Sequence, residues 1–224
     1  MSKKYFILTG HTDGLGFELS KQIIKDKNNI LIGISKRKIN LKTNYKNFYQ
    51  FKHNFKDDAF NNQVLKKIIL KINKQKCYFI LNAGINMKDT FKDFTNMSYF
   101  TLVYKINFHN QVSLILKLLE KNLLHSVTSI SSYNIYSRSK LNKGYTASKK
   151  IIYNFSKIFN ETLKKIGFKT VILSSIDTKM FHNNKYFTHY NKKKKIPADV
   201  TSVAKKVYKF LMVKQKIFFY NKLK

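Results

Sequence analysis

The sequence contains one cysteine, Cys77, one proline, Pro197, seven glycines and no tryptophan in 224 residues. A single cysteine excludes an intramolecular disulfide, so we expect a protein of the reducing cytoplasm. Cys77 opens an apolar run that ends at Leu81, which predicts a buried and unreactive thiol. The chain has no linker rich in glycine, serine or proline, and we therefore expect a single domain over residues 1–224.

Long hydrophobic runs are also missing. Crossing a bilayer takes about 18 apolar residues, and no segment of the sequence comes near that length. The apolar run closest to the N-terminus covers only Tyr5 to Leu8, which is too short for an export signal. We therefore expect neither a membrane span nor export.

Acidic residues are scarce, with 11 Asp and Glu against 44 Lys and Arg and a net charge of +33. This charge raises the hypothesis of a nucleic-acid partner. The lysines are spread over the whole chain, however, and the chain is also rich in Asn, Ile, Phe and Tyr, which share A/T-rich codons. We interpret the charge as a solvated surface produced by an A+T-rich genome, a hypothesis that the base composition of the gene would test. We predict no specific nucleic-acid partner.

Short apolar runs alternate with amphipathic stretches along the whole chain. The runs predict seven buried strands, near residues 5–8, 30–34, 48–51, 77–81, 127–130, 170–173 and 217–220. Helical spacing of apolar residues predicts helices over about 15–26, 64–72, 99–121, 145–165 and 199–213. This alternation predicts a doubly wound (Rossmann-type) α/β fold, a parallel sheet with helices on both faces. Ligands of such sheets bind at the carboxyl ends of the strands.

Glycines follow the first predicted strand at positions 10, 14 and 16. Glycine lets the backbone turn tightly and approach a pyrophosphate, whose charge the N-terminus of the next helix favours. The same spacing also suits a purely structural turn. The fourth strand ends at Asn82-Ala83-Gly84, which is compatible with close passage of an adenosine ribose or with an ordinary turn.

Tyr145 and Lys149 are four residues apart on a predicted helix and therefore share one face. A free phenol titrates near ~10, and a nearby ammonium or a helix N-terminus favours its ionised form. Such a tyrosine can serve as a general acid or base. The pair alone carries little information, because Tyr153 and Lys157 have the same spacing. Ser132, however, closes the fifth strand 13 residues before Tyr145, where a hydroxyl could bond a substrate oxygen.

In order and spacing, these motifs together resemble those of the short-chain dehydrogenase/reductase family, from Lys4 to about Leu211. The resemblance implies an NAD(P)-dependent oxidoreductase that interconverts a carbonyl and an alcohol by hydride transfer. Tyr145 would exchange the proton, and Ser132 would polarise the carbonyl. Lys149 would lower the pKa of the tyrosine and hold the nicotinamide ribose. Asn107 would hold a water that links the lysine to solvent.

The resemblance also implies a cofactor site at the strand ends. The predicted cofactor-binding residues are Thr9, Gly10, Thr12, Asp13, Gly14, Leu15, Gly16, Ser35, Lys36, Arg37, Asn54, Phe55, Asn82, Ala83, Gly84, Tyr145, Lys149 and Thr178.

The end of the second strand bears on the choice of dinucleotide. An acidic residue there bonds the ribose 2′-hydroxyl of NAD, whereas a basic one accommodates the 2′-phosphate of NADP. Here Ser35 takes the place of the acid and is followed by Lys36 and Arg37, so we favour NADP(H) over NAD(H). Asp13 argues the other way, because many NADP-dependent relatives carry a basic residue at that position.

Residues 180–196 would form a substrate lid by the same resemblance. Aromatic side chains there (Phe181, Tyr186, Phe187 and Tyr190) suit an apolar carbonyl, whereas the lysines suit an anionic one. The family's Pro-Gly pair after the sixth strand is replaced by Ser174 and Ser175, although Thr178 aligns with the threonine that follows that pair. The histidines of this segment lack acidic partners, and we predict no metal.

The sequence therefore predicts an NADPH-dependent carbonyl reductase, or the reverse alcohol dehydrogenase, with a small-molecule substrate. Two alternatives remain open: a non-catalytic dinucleotide-binding regulator of the same fold, and a sugar-nucleotide-modifying relative. The resemblance implies a homodimer or homotetramer that forms through the helices near 99–121 and 145–165.

Overall fold

A computed structural model of the protein describes residues 2–39, 45–57, 62–86, 97–136, 142–182 and 196–220. Within these ranges seven strands form one sheet in the order β3-β2-β1-β4-β5-β6-β7, with every neighbouring pair parallel. The strands are β1 Lys4–Thr9, β2 Asn29–Ser35, β3 Phe48–Lys52, β4 Cys77–Leu81, β5 Leu124–Ser132, β6 Gly167–Leu173 and β7 Ile217–Tyr220.

Helices cover both faces of this sheet, which confirms the predicted doubly wound fold. One core contains side chains of α2, α4 and α5, and the other contains those of α1 and α7. The α-helices of the described part are α1 Gly14–Ile24, α2 Asn62–Ile72, α3 Met97–Tyr104, α4 Asn110–Glu120, α5 Lys143–Thr162, α6 Lys179–His182 and α7 Val200–Leu211. None of the helices in these ranges is long and apolar enough to cross a membrane.

In the central strand β1 the apolar run does not alternate with polar residues, because both faces of the strand are buried. Tyr5 and Ile7 enter one core while Phe6 and Leu8 enter the other, because successive side chains point to opposite faces and both faces are covered. Cys77 is fully buried on the neighbouring β4, and burial raises the pKa of its thiol to about 12. The thiol is therefore protonated and unreactive at neutral pH, as predicted.

The long helix predicted over 99–121 is interrupted, and this prediction was wrong in detail. Between α3 and α4, the residues Lys105–His109 form a π-helical turn, in which the Asn110 N–H donates to the Lys105 carbonyl. The Gln111 side chain donates to the Ile106 carbonyl at 2.8 Å and so satisfies an oxygen that the altered ladder releases. The turn places Asn107 inside the protein, with no exposed surface.

Candidate active site

A cavity of about 930 Å³ opens at the carboxyl ends of the strands. Its wall includes segments that follow β1, β2, β4, β5 and β6, together with the first turns of α5 and α6. Of the residues predicted from the sequence, it is lined by Gly10, Thr12, Asp13, Gly14, Leu15, Gly16, Ser35, Lys36, Arg37, Asn54, Phe55, Asn82, Ala83, Gly84, Ser132, Tyr145, Lys149 and Thr178. Only Thr9 and Asn107 of the predicted set lie outside the lining.

The turn between β1 and α1 requires its glycines. Gly10 has φ +68°, and a Cβ there would lie 2.8 Å from the Cα of Ala83. A Cβ on Gly16 would lie 2.1 Å from the carbonyl oxygen of Gly10. A side chain at Gly10 would therefore push the turn away from the end of β4, and a side chain at Gly16 would push α1 away from the turn.

Thr9 connects this turn to the end of β4 through hydrogen bonds. Its hydroxyl oxygen accepts hydrogen bonds from the backbone N–H groups of Asn82 and Ala83, each at 3.0 Å. The Asn82 amide returns bonds of 3.1 Å to the carbonyls of Thr9 and Gly10. Thr9 is fully buried, so we assign it a positioning role between the two strand ends.

The end of β2 carries the residues that were predicted to select the cofactor. The hydroxyls of Ser35 and Thr12 lie 3.2 Å apart, and Lys36 is exposed. Arg37 donates a 3.1 Å hydrogen bond to the Asp13 carboxylate, which also caps α1 by accepting from the Gly14 N–H at 2.8 Å. Arg37, which favoured NADP(H) in the sequence, is therefore paired with Asp13, which argued against it.

Tyr145 lies in the first turn of α5 and is hydrogen-bonded to Ser132 at the end of β5. The buried Lys149 lies one turn further, with its Nζ atom 5.5 Å from the centre of the Tyr145 ring. The same ammonium donates to the Ile130 carbonyl at 2.8 Å, which fixes it beside the strand end. The fold thus places the phenol and the hydroxyl in contact, with the ammonium next to the ring.

Burial governs the protonation of both groups. It raises the pKa of Tyr145 to about 12, although the hydrogen bond with Ser132 lowers the pKa. It lowers the pKa of Lys149 to about 8, because the surroundings disfavour the charged amine. The pKa of the tyrosine is therefore shifted in the direction opposite to the one that the family resemblance implies. In this structure, desolvation outweighs the hydrogen bond with Ser132.

Asn107 is fully buried and lies next to the residues that line the cavity. Its Oδ1 atom accepts from the Ile85 N–H at 2.8 Å, and its Nδ2 atom donates to the Ile85 carbonyl and to Ser148, both at 3.0 Å. A Cβ on Gly84 would lie 3.4 Å from Asn107 Oδ1 and 3.7 Å from Lys149 Nζ. The asparagine therefore holds the segment after β4 against α5, close to the lysine amine.

Other predicted residues take places around the rim. Asn54 and Phe55 line the cavity, and the Phe55 carbonyl accepts from the Asn110 amide at 2.8 Å. The Thr178 methyl group lies 3.2 Å from the position that a Cβ on Gly14 would occupy. Of the predicted lid 180–196, Met180 and Phe181 line the cavity, while 183–195 lie outside the described residues. In the described part of the chain, no three His, Cys, Asp or Glu side chains cluster closely enough to hold a metal ion.

Sequence reasoning missed several cavity residues. Among them are Asn86, Ser131 and Asn142, whose side-chain oxygens are buried and have no hydrogen-bond partner. Asn86 and Ser131 adjoin strand-end motifs, and Asn142 precedes Tyr145 by three residues, so proximity to these motifs was the available signal. Nothing in the residue types distinguishes them in a chain this rich in asparagine.

The order of these elements, and the motif residues that line the cavity, agree with a known family. A family model described as short chain dehydrogenase matches residues 4–187. The chain belongs to the short-chain dehydrogenase family. Members of this family are oxidoreductases, so the resemblance seen in the motifs is confirmed at the level of the family.

Solved structures agree with the fold. A short-chain dehydrogenase/reductase from Saccharomyces cerevisiae aligns with a TM-score of 0.83 at 19% identity, over 98% of this chain and 97% of that one. A short-chain dehydrogenase from Burkholderia cenocepacia, solved in complex with NADP, aligns with a TM-score of 0.81 at 13% identity, over 99% and 90% of the two chains. A family member from Francisella tularensis gives 0.76 at 18%, over 97% of each. A comparison with curated protein sequences finds no match.

Proposed function

We propose that this short-chain dehydrogenase reduces a ketone or aldehyde with NADPH, or oxidises the corresponding alcohol with NADP⁺. The observation that carries the proposal is the contact between Tyr145 and Ser132, with the Lys149 ammonium beside the ring, inside the cavity that the glycine turn also lines. Ligand cavities commonly measure about 300–1,000 Å³, and this one falls at the upper end of that range, which suits a dinucleotide together with a small substrate.

The residues present fit a dinucleotide. The glycine turn brings the N-terminus of α1 to the cavity, where backbone N–H groups favour a diphosphate. Lys36 and Arg37 would hold a 2′-phosphate, and Lys149 would hold the ribose next to the nicotinamide. The NADP bound in the Burkholderia structure supports a nicotinamide dinucleotide as the cofactor. When bound, the cofactor would supply or accept a hydride. The side chains of the protein would polarise the carbonyl and exchange the proton.

In the direction of reduction, Ser132 donates a hydrogen bond to the carbonyl oxygen and polarises it. Tyr145 then gives its proton to the oxygen as negative charge develops there. The pKa of about 12 keeps the phenol protonated at neutral pH, which suits an acid. Lys149 stabilises the phenolate that results, and Asn107 keeps the surrounding backbone in place.

The test is turnover of a panel of ketones and aldehydes with NADPH or NADH, followed by absorbance. Tyr145→Phe should lower kcat about 10²- to 10⁴-fold, the usual loss on removing a general acid, while the Kd for NADPH stays within about twofold. Tyr153→Phe is the matched control, because it removes a phenol with the same lysine spacing that does not line the cavity in the described residues. Full activity of Tyr145→Phe would refute the mechanism. NADPH binding without turnover of any carbonyl would favour a non-catalytic regulator.

We also propose a homo-oligomer formed through α4 and α5. Leu116 on α4 and Ile158 on α5 are 42% and 61% exposed, and Ile151 adds a third apolar side chain at 39%. Exposed apolar side chains on these two helices support their burial in a protein interface.

A further inference from the structure

Asn142 immediately precedes α5 and has a left-handed backbone conformation, with φ 57° and ψ 42°. Asparagine at this position normally caps the helix with its side chain, but the Asn142 side chain makes no such bond. The Asn142 carbonyl accepts from the Thr146 N–H at 2.8 Å, which is the first regular hydrogen bond of the helix and does not involve the side chain. The side chain is therefore available for another role.

The amide lies in the cavity wall and its hydrogen-bonding capacity is not used. Asn142 is 5% exposed, and its Oδ1 atom is buried without a partner. A buried, unpartnered acceptor costs about as much free energy as a lost hydrogen bond, so native structures rarely keep one without a reason. Asn142 lines the cavity three residues before Tyr145. Its oxygen has no accessible surface in this conformation, so a ligand of the site would reach it once the amide rotates about its Cβ–Cγ bond, and that ligand is the partner that explains it.

The unpartnered atom is an acceptor, so the ligand must offer a donor. A cationic donor is disfavoured, because the Lys149 ammonium lines the same cavity and the chain carries a net charge of +33. A neutral hydroxyl meets both conditions. Rotation of the amide about its Cβ–Cγ bond exchanges the oxygen and the NH₂ group, and a hydroxyl can pair with either.

We propose that Asn142 recognises a hydroxyl near the substrate carbonyl, so that hydroxylated ketones or aldehydes are the substrate class of this enzyme. The inference rests on the proposed carbonyl reduction. Ser131 and Asn86 line the same cavity with unpartnered oxygens, and they extend its capacity for hydroxyl groups. An apolar carbonyl would leave all three oxygens without partners.

The experiment compares 1-hydroxybutan-2-one with 1-methoxybutan-2-one, two ketones that differ in the donor proton and the methyl group that replaces it. The measured quantity is the ratio of their kcat/KM values with NADPH. We expect Asn142→Gly to lower this ratio about 10- to 100-fold, because the donor loses its partner. Glycine preserves the left-handed backbone, so the change removes only the amide. Asn122→Gly is the matched control: Asn122 has φ 54°, is exposed and should leave the ratio unchanged.

The outcomes separate this inference from the proposed function. Turnover of both ketones with a ratio that Asn142→Gly does not change overturns the role of Asn142 and leaves the carbonyl reductase standing. If neither ketone is turned over, ligand-observed NMR with NADP⁺ present decides the inference. Saturation transfer to 1-hydroxybutan-2-one that is lost in Asn142→Gly supports it, and equal transfer in the two proteins overturns it.

Discussion

Arg37 and Asp13 form an ion pair of 3.1 Å that connects the end of β2 with the N-terminus of α1. Both side chains are about half-exposed, so the pair contributes about 0–1 kcal/mol to stability. Under the proposed function its greater effect concerns the ligand, because the carboxylate would compete with the 2′-phosphate of NADPH for the same guanidinium.

We therefore predict that Asp13→Asn strengthens NADPH binding. Asparagine is as good a helix cap as aspartate, so the variant removes the charge and retains the cap. The Kd for NADPH should fall about three- to tenfold, while the Kd for NADH, which lacks the 2′-phosphate, should change less than twofold. Fluorescence titration measures both constants. Weaker NADPH binding in Asp13→Asn would show that the carboxylate assists the cofactor, and Arg37→Gln should in any case weaken it.

The lowered pKa of Lys149 predicts a pH dependence. The ammonium is charged below its pKa of about 8 and loses its charge above it. The logarithm of kcat/KM for NADPH, which reports the free enzyme, should be level below pH 8 and fall towards a slope of −1 above it. Lys149→Arg should remove this decline, because a guanidinium keeps its charge, although the variant will be slower. A level wild-type profile up to pH 9.5 would contradict the assignment.

His11 predicts a loss of stability in acid. It is fully buried in the glycine turn, 2.9 Å from Gln50 Oε1, and burial lowers its pKa below 6.5. The unfolded chain therefore takes up a proton before the native state does, and the free energy of unfolding should decrease as the pH falls below 6.5. The decrease should approach ~1.4 kcal/mol per pH unit for this histidine.

Urea unfolding at pH 7 and pH 5 measures this effect through the difference between the two free energies. His53 and His125 also have lowered pKa values and add to the wild-type difference. His11→Gln should reduce the difference, whereas His109→Gln, at an exposed position, should not. Equal differences in His11→Gln and wild type would show that the turn tolerates the charged ring.

The proposed interface gives a further prediction. Ile158→Glu places a charge in the exposed apolar surface of α5 and should shift the protein towards the monomer, because burying an unpaired charge is costly. Leu70→Glu is the matched control, since Leu70 is 77% exposed on α2, outside the proposed surface. Light scattering coupled to size-exclusion chromatography measures the mass. An unchanged assembly in Ile158→Glu would place the interface elsewhere.

The fold and most of the site could be predicted because they depend on local patterns. Apolar runs end within two residues of the strand ends, so Ser132 and Asn82 could be placed at the edge of the sheet where the cavity opens. The spacing of Tyr145 and Lys149 is a property of one helix and needs no knowledge of the rest of the chain.

The features that could not be predicted come from contacts between distant segments. Asn107 bonds to Ile85, 22 residues away, and Arg37 pairs with Asp13, 24 residues away. The spacing of apolar residues along helices and strands gives no indication of such pairs. The pKa of Tyr145 likewise depends on how much of the folded chain surrounds the phenol, and this cannot be read from spacing.

The π-helical turn at Lys105–His109 also sets a constraint on length. Such a turn contains one residue more than an α-helical turn, and each α-helical residue advances the chain by about 100° around the axis. Deleting one residue here would let a regular α-helix form with the apolar stripe of α4 still facing the sheet, but Asn107 would lose the position from which it binds Ile85. A chain shortened by one residue between 105 and 109 should therefore keep its fold, while the segment after β4 would no longer be held against α5.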